Sequence, residues 1–301
     1  MASGPGGDAR DGVASRATAA AGGVRPLALV TGARRGIGLA IARAFARSGH
    51  DVAIADLRVD GEGAALARAP EGGVRVECLV ADVGDEAAVE GLFEETAARF
   101  GRVPDILVNN AAVQFWSPLL ELSVADWERT LRVNLTGPFL TTRRFARARI
   151  EAARARDADG AAAGARAPEK EGDAPAAVPG GVIVNIGSGC NRLAFGSLVS
   201  YTASKGGLEM LTKVSAFELG PLGIRVNCVA PGAIETERTR AETTGYARAW
   251  APLTPLRRVG QVDEVADAVL ALCGESMRFV SGETLAVDGG LFARAPWPHE
   301  Y

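Results

Sequence analysis

Tyr201 and Lys205 stand four residues apart in the run Tyr201-Thr-Ala-Ser-Lys205. Both types are scarce: the lysines are Lys170, Lys205 and Lys213, and the tyrosines Tyr201, Tyr246 and Tyr301. On a helix, positions i and i+4 share a face, so a phenol and an ammonium would lie one above the other. Such a pair suits proton transfer to or from an oxygen. A phenol with a pKa of about 10 is a poor base at neutral pH, and a nearby cation lowers that value. A tenfold change in proton affinity takes about 1.4 kcal/mol of differential interaction, within the range of a partly buried lysine. The alternative is a solvated surface pair.

A second chemical feature lies near the start of the chain. Leu27 to Thr31 reads as a short buried strand. Gly32, Gly36 and Gly38 follow, and Ile37, Leu39, Ile41 and Phe45 give the next segment the apolar side of a helix. Strand, glycine turn and helix in that order form a phosphate-holding corner. The glycines let the backbone approach a pyrophosphate, and the helix start offers free N–H groups. The spacing Thr-Gly-x-x-x-Gly-x-Gly differs from the usual G-x-G-x-x-G. A plain tight turn is the alternative reading.

The elements that must position these features alternate along the chain. Asp51 to Asp56 reads as a second strand whose last carboxylate suits the adenosine ribose of a dinucleotide. Capping of the helix near Asp60 is its other possible role, although Asp60 can cap that helix itself. A carboxylate at Asp56 favours NAD and repels the 2′-phosphate of NADP; Arg34, Arg35 and Arg58 pull the other way. Val74 to Val80 is a third strand, with Asp82-Val83 beside the adenine, and a helix spans Glu86 to Phe100. A fourth strand, Asp105 to Val108, runs into Asn109-Asn110-Ala111-Ala112 at a carboxyl end, where ligands bind. The asparagines either tie strand ends together or touch the cofactor. Ser123 to Arg149 reads as one long helix capped by Ser123, with Asn134 inside it needing partners. Further elements are a strand at Gly181 to Ile186, a helix at Ser200 to Gly220 and a strand at Ile224 to Ala230. Pro231-Gly232 then breaks the chain, and Ala233 to Pro255 is a polar, irregular lid. A helix at Val262 to Cys273 and a strand at Thr284 to Val287 complete the series.

The resulting expectation is an α/β fold: a single Rossmann-type, doubly wound parallel sheet of about seven strands with helices on both faces. It would occupy residues 25–292, between a flexible tail at 1–24 and a second tail at 293–301. The Ala, Gly, Pro and charge-rich stretch 153–180 reads as an insertion joining a helix end to a strand start, away from the crevice.

Composition narrows the function. A net charge of −3 gives no reason to expect nucleic acid or an anionic membrane as partner. No apolar run is long enough to cross a bilayer, and the first residues lack the apolar centre of a secretory signal. Cys78, Cys190, Cys228 and Cys273 are far apart, which suits reduced thiols and a cytoplasmic location. With only His50 and His299, both expected at the surface, a histidine-based metal site or hydrolase triad has little to draw on. No metal is expected.

Taken together, TGARRGIG at 31–38, Asp82-Val83, NNAA at 109–112, Asn134, Ser188, YTASK at 201–205 and PGAIET at 231–236 resemble the short-chain dehydrogenase/reductase family. The resemblance runs from about Pro26 to Phe292, nearest to 3-oxoacyl-carrier-protein reductases and sugar or polyol dehydrogenases. It implies hydride transfer between a nicotinamide and a carbonyl or secondary alcohol carbon. Tyr201 would be the general acid/base, and Lys205 would bind the nicotinamide ribose and lower the tyrosine pKa. Ser188 would hold the substrate oxygen, and Asn134 a water in the proton relay. Gly32, Gly36 and Gly38, with Arg34, Arg35 and Ile37 between them, would surround the phosphates. Asp56, Asp82, Val83, Asn110 and Ala111 would meet the adenosine side, and Pro231, Gly232, Ile234 and Thr236 the carboxamide end. The family usually has glycine where Ala112 stands. The substrate would be a small alcohol or ketone or an acyl-carrier thioester, with NAD ahead of NADP, and the assembly a homotetramer or homodimer. The alternatives are a nucleotide-binding regulator of the same fold, disfavoured because all four catalytic positions are filled, and a scaffold acting through the insertion.

Overall fold

The computed structural model describes residues 24–70, 73–162 and 179–293. Both tails and most of the insertion lie outside the described residues. Nine strands and nine α-helices follow in order among them: β1 Leu27–Thr31, α1 Gly36–Arg47, β2 Asp51–Asp56, α2 Gly61–Arg68, β3 Val76–Val80, α3 Glu86–Phe100, β4 Ile106–Asn109, α4 Val124–Leu131, α5 Gly137–Ala162, β5 Gly181–Ile186, α6 Val199–Leu219, β6 Ile224–Pro231, β7 Ile234–Glu235, α7 Glu237–Glu242, α8 Tyr246–Trp250, β8 Gly260–Gln261, α9 Val262–Cys273 and β9 Thr284–Val287.

Seven strands form one parallel sheet in the order β3-β2-β1-β4-β5-β6-β9, and β7 pairs with β8 in a small second sheet. The order reverses between β1 and β4, which opens a crevice at their carboxyl ends. Side chains alternate along each strand, so β1 serves two cores. Ala28 and Val30 meet Ile41, Phe45, Val265 and Val269 from α1 and α9. Leu27 and Leu29 meet Leu92, Phe93 and Phe145 from α3 and α5 on the other face. Continuous apolar strands therefore reflect burial on both sides.

The single helix expected from Ser123 to Arg149 is instead two helices joined by a π-helical turn, Arg132–Thr136. Gly137 N–H reaches back five residues to the Arg132 carbonyl, and the extra residue turns Asn134 fully inward. Ser123 caps α4, accepting from the Asp126 N–H. The helix also runs further than expected: α5 continues to Ala162, into the stretch read as insertion. Arg149 clasps the far side of that insertion, donating to the carbonyls of Pro179 and Gly180 and pairing with Asp105 at the amino end of β4. That is the edge opposite the crevice. The lid is not irregular either; α7 and α8 give it helical structure. α7 is started by a reciprocal cap in which Thr236 and Thr239 satisfy one another's backbone N–H groups.

Candidate active site

A crevice of about 930 Å³ runs along the carboxyl ends of the strands, bounded by the β1–α1 turn, α6 and the lid helices. It brings together the residues singled out from the sequence, with two exceptions. Gly32, Arg34, Arg35, Gly36 and Ile37 line one end with Asp56, Asp82, Val83, Asn110 and Ala111. Ser188, Tyr201, Lys205, Pro231, Gly232, Ile234 and Thr236 line the other. Gly38 and Asn134 do not reach it.

Gly38 acts through packing. A Cβ there would stand 2.4 Å from both the Asn110 amide nitrogen and the Gly32 carbonyl oxygen, so only glycine lets α1 approach the strand ends. Gly32 and Gly36 take φ of +64° and +61°, a left-handed backbone that glycine adopts without strain. The first turn of α1 has no side-chain cap, so its N–H groups point into the crevice without a side-chain acceptor. These features fit the pyrophosphate of a dinucleotide.

Next along, Asp56 is fixed by two backbone donors: Arg34 N–H at 3.1 Å and Leu57 N–H at 2.8 Å. Asp60, expected to cap α2, makes no cap and instead pairs with the Arg34 side chain at 2.8 Å. Arg35 and Arg58 have no ion-pair partner among the described residues. Burial tends to raise Asp82, but the Gly84 N–H and the Arg132 guanidinium outweigh it and hold the carboxyl below its ordinary range. Ala112, where the family usually has glycine, lines the same crevice.

The paired asparagines resolve into ties. Asn109 donates to Asn185 on β5 at 2.9 Å and accepts from Thr141 on α5 at 2.7 Å. Asn110 donates to the carbonyls of Thr31 and Gly32, locking the glycine turn to β4. Asn134 is likewise satisfied by protein. Its amide oxygen accepts from Val113 N–H and its amide nitrogen donates to Val113 O, both at 2.8 Å, with a further contact to Ser204 at 3.2 Å. It fastens the crevice wall at Val113 to α6, one turn from Tyr201.

Ser188 caps a 3₁₀ turn, Gly189–Asn191, accepting from Cys190 N–H, while Asn191 accepts from Ser188 N–H at 3.0 Å. This fixes a hydroxyl that opposes the rise of the Tyr201 phenol. The Lys205 ammonium lies 5.5 Å from the Tyr201 ring centre and donates to the Ile186 carbonyl at 2.6 Å.

The electrostatics differ from expectation. Burial pushes Tyr201 up to about 12, with Cys190 adding to the rise and Arg238 and Ser188 opposing it. Burial likewise brings Lys205 down to about 8. Burial dominates at both groups, and Lys205 is not among the charges that act on the phenol. The phenol is held protonated, ready to donate. His50, expected at the surface, is half-buried against Phe45, and burial lowers it. His299 lies outside the described residues. Among the described residues no cluster of His, Cys, Asp or Glu could hold a metal ion, and all four cysteines are free thiols.

Three wall residues carry no signal in the sequence: Phe195 and Phe292, which meet edge to face at 5.7 Å, and Arg238 on α7. Tyr246 and Trp250, expected from the sequence to shape the pocket, lie 6.2 Å apart with their rings tilted at 45°. Phe292 reaches the site only because the chain beyond β9 folds back over Gly189. Tyr246 and Trp250 fall in the stretch read as lid, and with Trp116 they line the crevice.

Known proteins of this shape are numerous. A family model described as Enoyl-(Acyl carrier protein) reductase matches residues 32–292. D-threitol dehydrogenase of Mycolicibacterium smegmatis is 36% identical over 88% of this chain and 92% of its own length. The 3-oxoacyl-[acyl-carrier-protein] reductase FabG of Aquifex aeolicus is 35% identical over 88% of this chain and 97% of its own. A crystal structure with bound NADP, of an Agrobacterium tumefaciens protein named as a 2-deoxy-d-gluconate 3-dehydrogenase, has a TM-score of 0.74 at 32% identity, covering 89% of this chain and 97% of that one. The matched span, the sheet order and these relatives agree: the chain belongs to the short-chain dehydrogenase/reductase family.

Proposed function

We propose that the crevice transfers a hydride between a nicotinamide dinucleotide and the carbonyl or secondary alcohol carbon of a small molecule, Tyr201 supplying or receiving the proton. The relatives are named dehydrogenases and reductases, and this chain is an oxidoreductase of CH–OH or C=O groups. The observation that carries the residue assignment is the convergence of Ser188, Tyr201 and Lys205 at one end of a crevice whose other end is a glycine turn and a bare helix start. When bound, the cofactor supplies or accepts the hydride. The protein does the rest. Ser188 and Tyr201 hold the substrate oxygen, and Lys205, with one acceptor at Ile186, keeps donors free for the ribose. Asn134 acts by fixing Val113 and α6. A turnover screen of alcohols and ketones with NAD and NADP side by side tests this reading; absence of any turnover would defeat it.

For the cofactor, Asp56 supports NAD, because its carboxylate is anchored where ribose hydroxyls would come and opposes a 2′-phosphate. NADP is the second reading, favoured by Arg35 and Arg58 on the same rim and by the NADP-bound relative. The expected result is a higher kcat/KM with NAD, and a shift of the ratio toward NADP by about tenfold in Asp56→Ala, the repulsion between two like charges being of that order. Equal or better kcat/KM with NADP in the unaltered protein would reverse the assignment.

The protein assembles as a dimer or tetramer in this proposal, and works in the cytoplasm, where four free thiols persist. No helix among the described residues is long and apolar enough to cross a membrane. Support for assembly comes from Met210, Val214 and Phe217, which share one exposed face of α6, Phe217 at 85%. Light scattering at micromolar concentration should give two or four copies, and Phe217→Asp should shift the mass toward the monomer. A monomeric unaltered chain would count against it.

A further inference from the structure

Two arginines near the lid are tightly paired. Arg258 makes two short bonds to Glu264, and Arg240 pairs with Glu235 at 3.1 Å. Arg238 differs. It is the second residue of α7, it lines the crevice that holds Tyr201, and its only partner among the described residues is Glu242, with Nε 3.7 Å from the carboxylate oxygen. That distance is beyond a hydrogen bond, and both side chains are about half exposed, at 44% and 47%. So loose and wet a pair contributes little and costs little to exchange. The terminal nitrogens of Arg238 make no hydrogen bond among the described residues, leaving its planar fork open toward the crevice.

The crevice that Arg238 lines carries four aromatic rings beside the carboxylates of Glu237 and Glu242. Phe195 and Phe292 form one wall, and Tyr246 and Trp250 another. A polyol would need a partner for every hydroxyl it brings, and aromatic faces supply few. A molecule with a hydrocarbon body and a single anionic end matches better: the body against the rings, the anion on the fork.

We infer that the substrate is an oxo or hydroxy acid with an apolar body, its carboxylate held by Arg238 while its carbonyl or hydroxyl oxygen meets Tyr201 and Ser188. The inference rests on the assignment of Tyr201 as proton donor and adds the substrate class. The carboxylate replaces Glu242 on the guanidinium, and a bidentate, charge-assisted contact is about twice as strong as a neutral one. Consistent with proximity, the Arg238 charge acts on the Tyr201 phenol, opposing the rise that burial causes.

The test compares reduction of 4-oxopentanoate and 5-oxohexanoate with that of their amides, and of 2-octanone, using NADH and NADPH at pH 7. The unaltered enzyme should favour each acid over its amide by at least about tenfold in kcat/KM, the loss of one charge-assisted contact being of that size. Arg238→Gln should reduce the preference to within about twofold, and Arg238→Lys should retain part of it. Arg240→Gln, outside the crevice, should keep it whole. Fluorescence titration with NADH establishes that each variant is folded and binds cofactor. Equal rates for acid and amide, or a preference that survives Arg238→Gln, would overturn the inference. So would reduction of 2-octanone without either acid, an outcome that leaves the oxidoreductase assignment standing. No reduction of any ketone would defeat that assignment and this inference with it.

Discussion

Tyr201→Phe is expected to lower kcat by at least about 10²-fold, up to about 10⁴-fold, the range typical of general acid–base catalysis, while leaving cofactor affinity nearly unchanged. The substitution removes one hydroxyl and keeps the ring. The glycine turn, the helix start and Asp56 lie at the other end of the crevice and do not touch the phenol. Direction of reaction supplies a second measurement. With Tyr201 up to about 12, the phenol is protonated throughout the neutral range and donates readily during reduction. Alcohol oxidation needs the opposite transfer, so its kcat/KM should keep rising with pH above neutrality instead of levelling there. In Tyr201→Phe that pH dependence should disappear along with the rate. Stopped-flow turnover, fluorescence titration with NADH and pH–rate profiles in both directions provide the check. A phenylalanine enzyme keeping more than a tenth of its turnover would remove Tyr201 from the chemistry.

The sheet is legible in the sequence because its strands are buried on both faces, and such positions are filled almost entirely by Val, Ile, Leu and Ala. β1, β2, β5 and α3 occupy the expected residues, and the register of β1 against β2 and β4 follows from them. The site is legible wherever a residue type is forced by local backbone, as at Gly32 and Gly36, or by rarity, as at Tyr201 and Lys205. Other features depend on what lies across space. Gly38 is required by Asn110, far away in sequence. The π turn exists because Asn134 must reach both Val113 and Ser204, and no periodicity announces a single inserted residue. The lid reads as irregular because α7 and α8 are too short to show an amphipathic repeat, six and five residues respectively. The tyrosine pKa moves against expectation for a related reason. Spacing places the ammonium beside the phenol, but the balance between desolvation and pairing is set by burial, which spacing does not report.

That balance makes Lys205→Met the more revealing substitution, because it should damage function and strengthen the fold together. Burial brings Lys205 down from 10.5 to about 8, so the folded state resists the charge. The difference corresponds to about 3 kcal/mol, at about 1.4 kcal/mol for each tenfold change in proton affinity. The sign follows from proton counting. Between pH of about 8 and 10.5 the unfolded chain binds a proton at this site that the folded chain has shed, so stability rises with pH across that window. Below about 8 both states carry the proton and the full penalty is present. Methionine fills similar space without charge, and it forfeits the charge-assisted hydrogen bond to Ile186, about 1.5–3 kcal/mol. Net stabilisation of up to about 1.5 kcal/mol is therefore expected at pH 7, fading toward pH 10.5. Activity should move the other way. The ammonium lies 5.5 Å from the Tyr201 ring and lines the crevice, so its loss should weaken cofactor binding as well as turnover, unlike the loss of the phenol hydroxyl. A lysine kept at such a cost to stability is what a functional site requires. Urea unfolding of both proteins at pH 7 and pH 10, with cofactor dissociation constants at pH 7, separates the two effects. If Lys205→Met is less stable than the unaltered protein at pH 7, the ammonium is a structural partner whose pairing outweighs its burial. If cofactor affinity is also unchanged, the ribose contact is lost from the assignment as well.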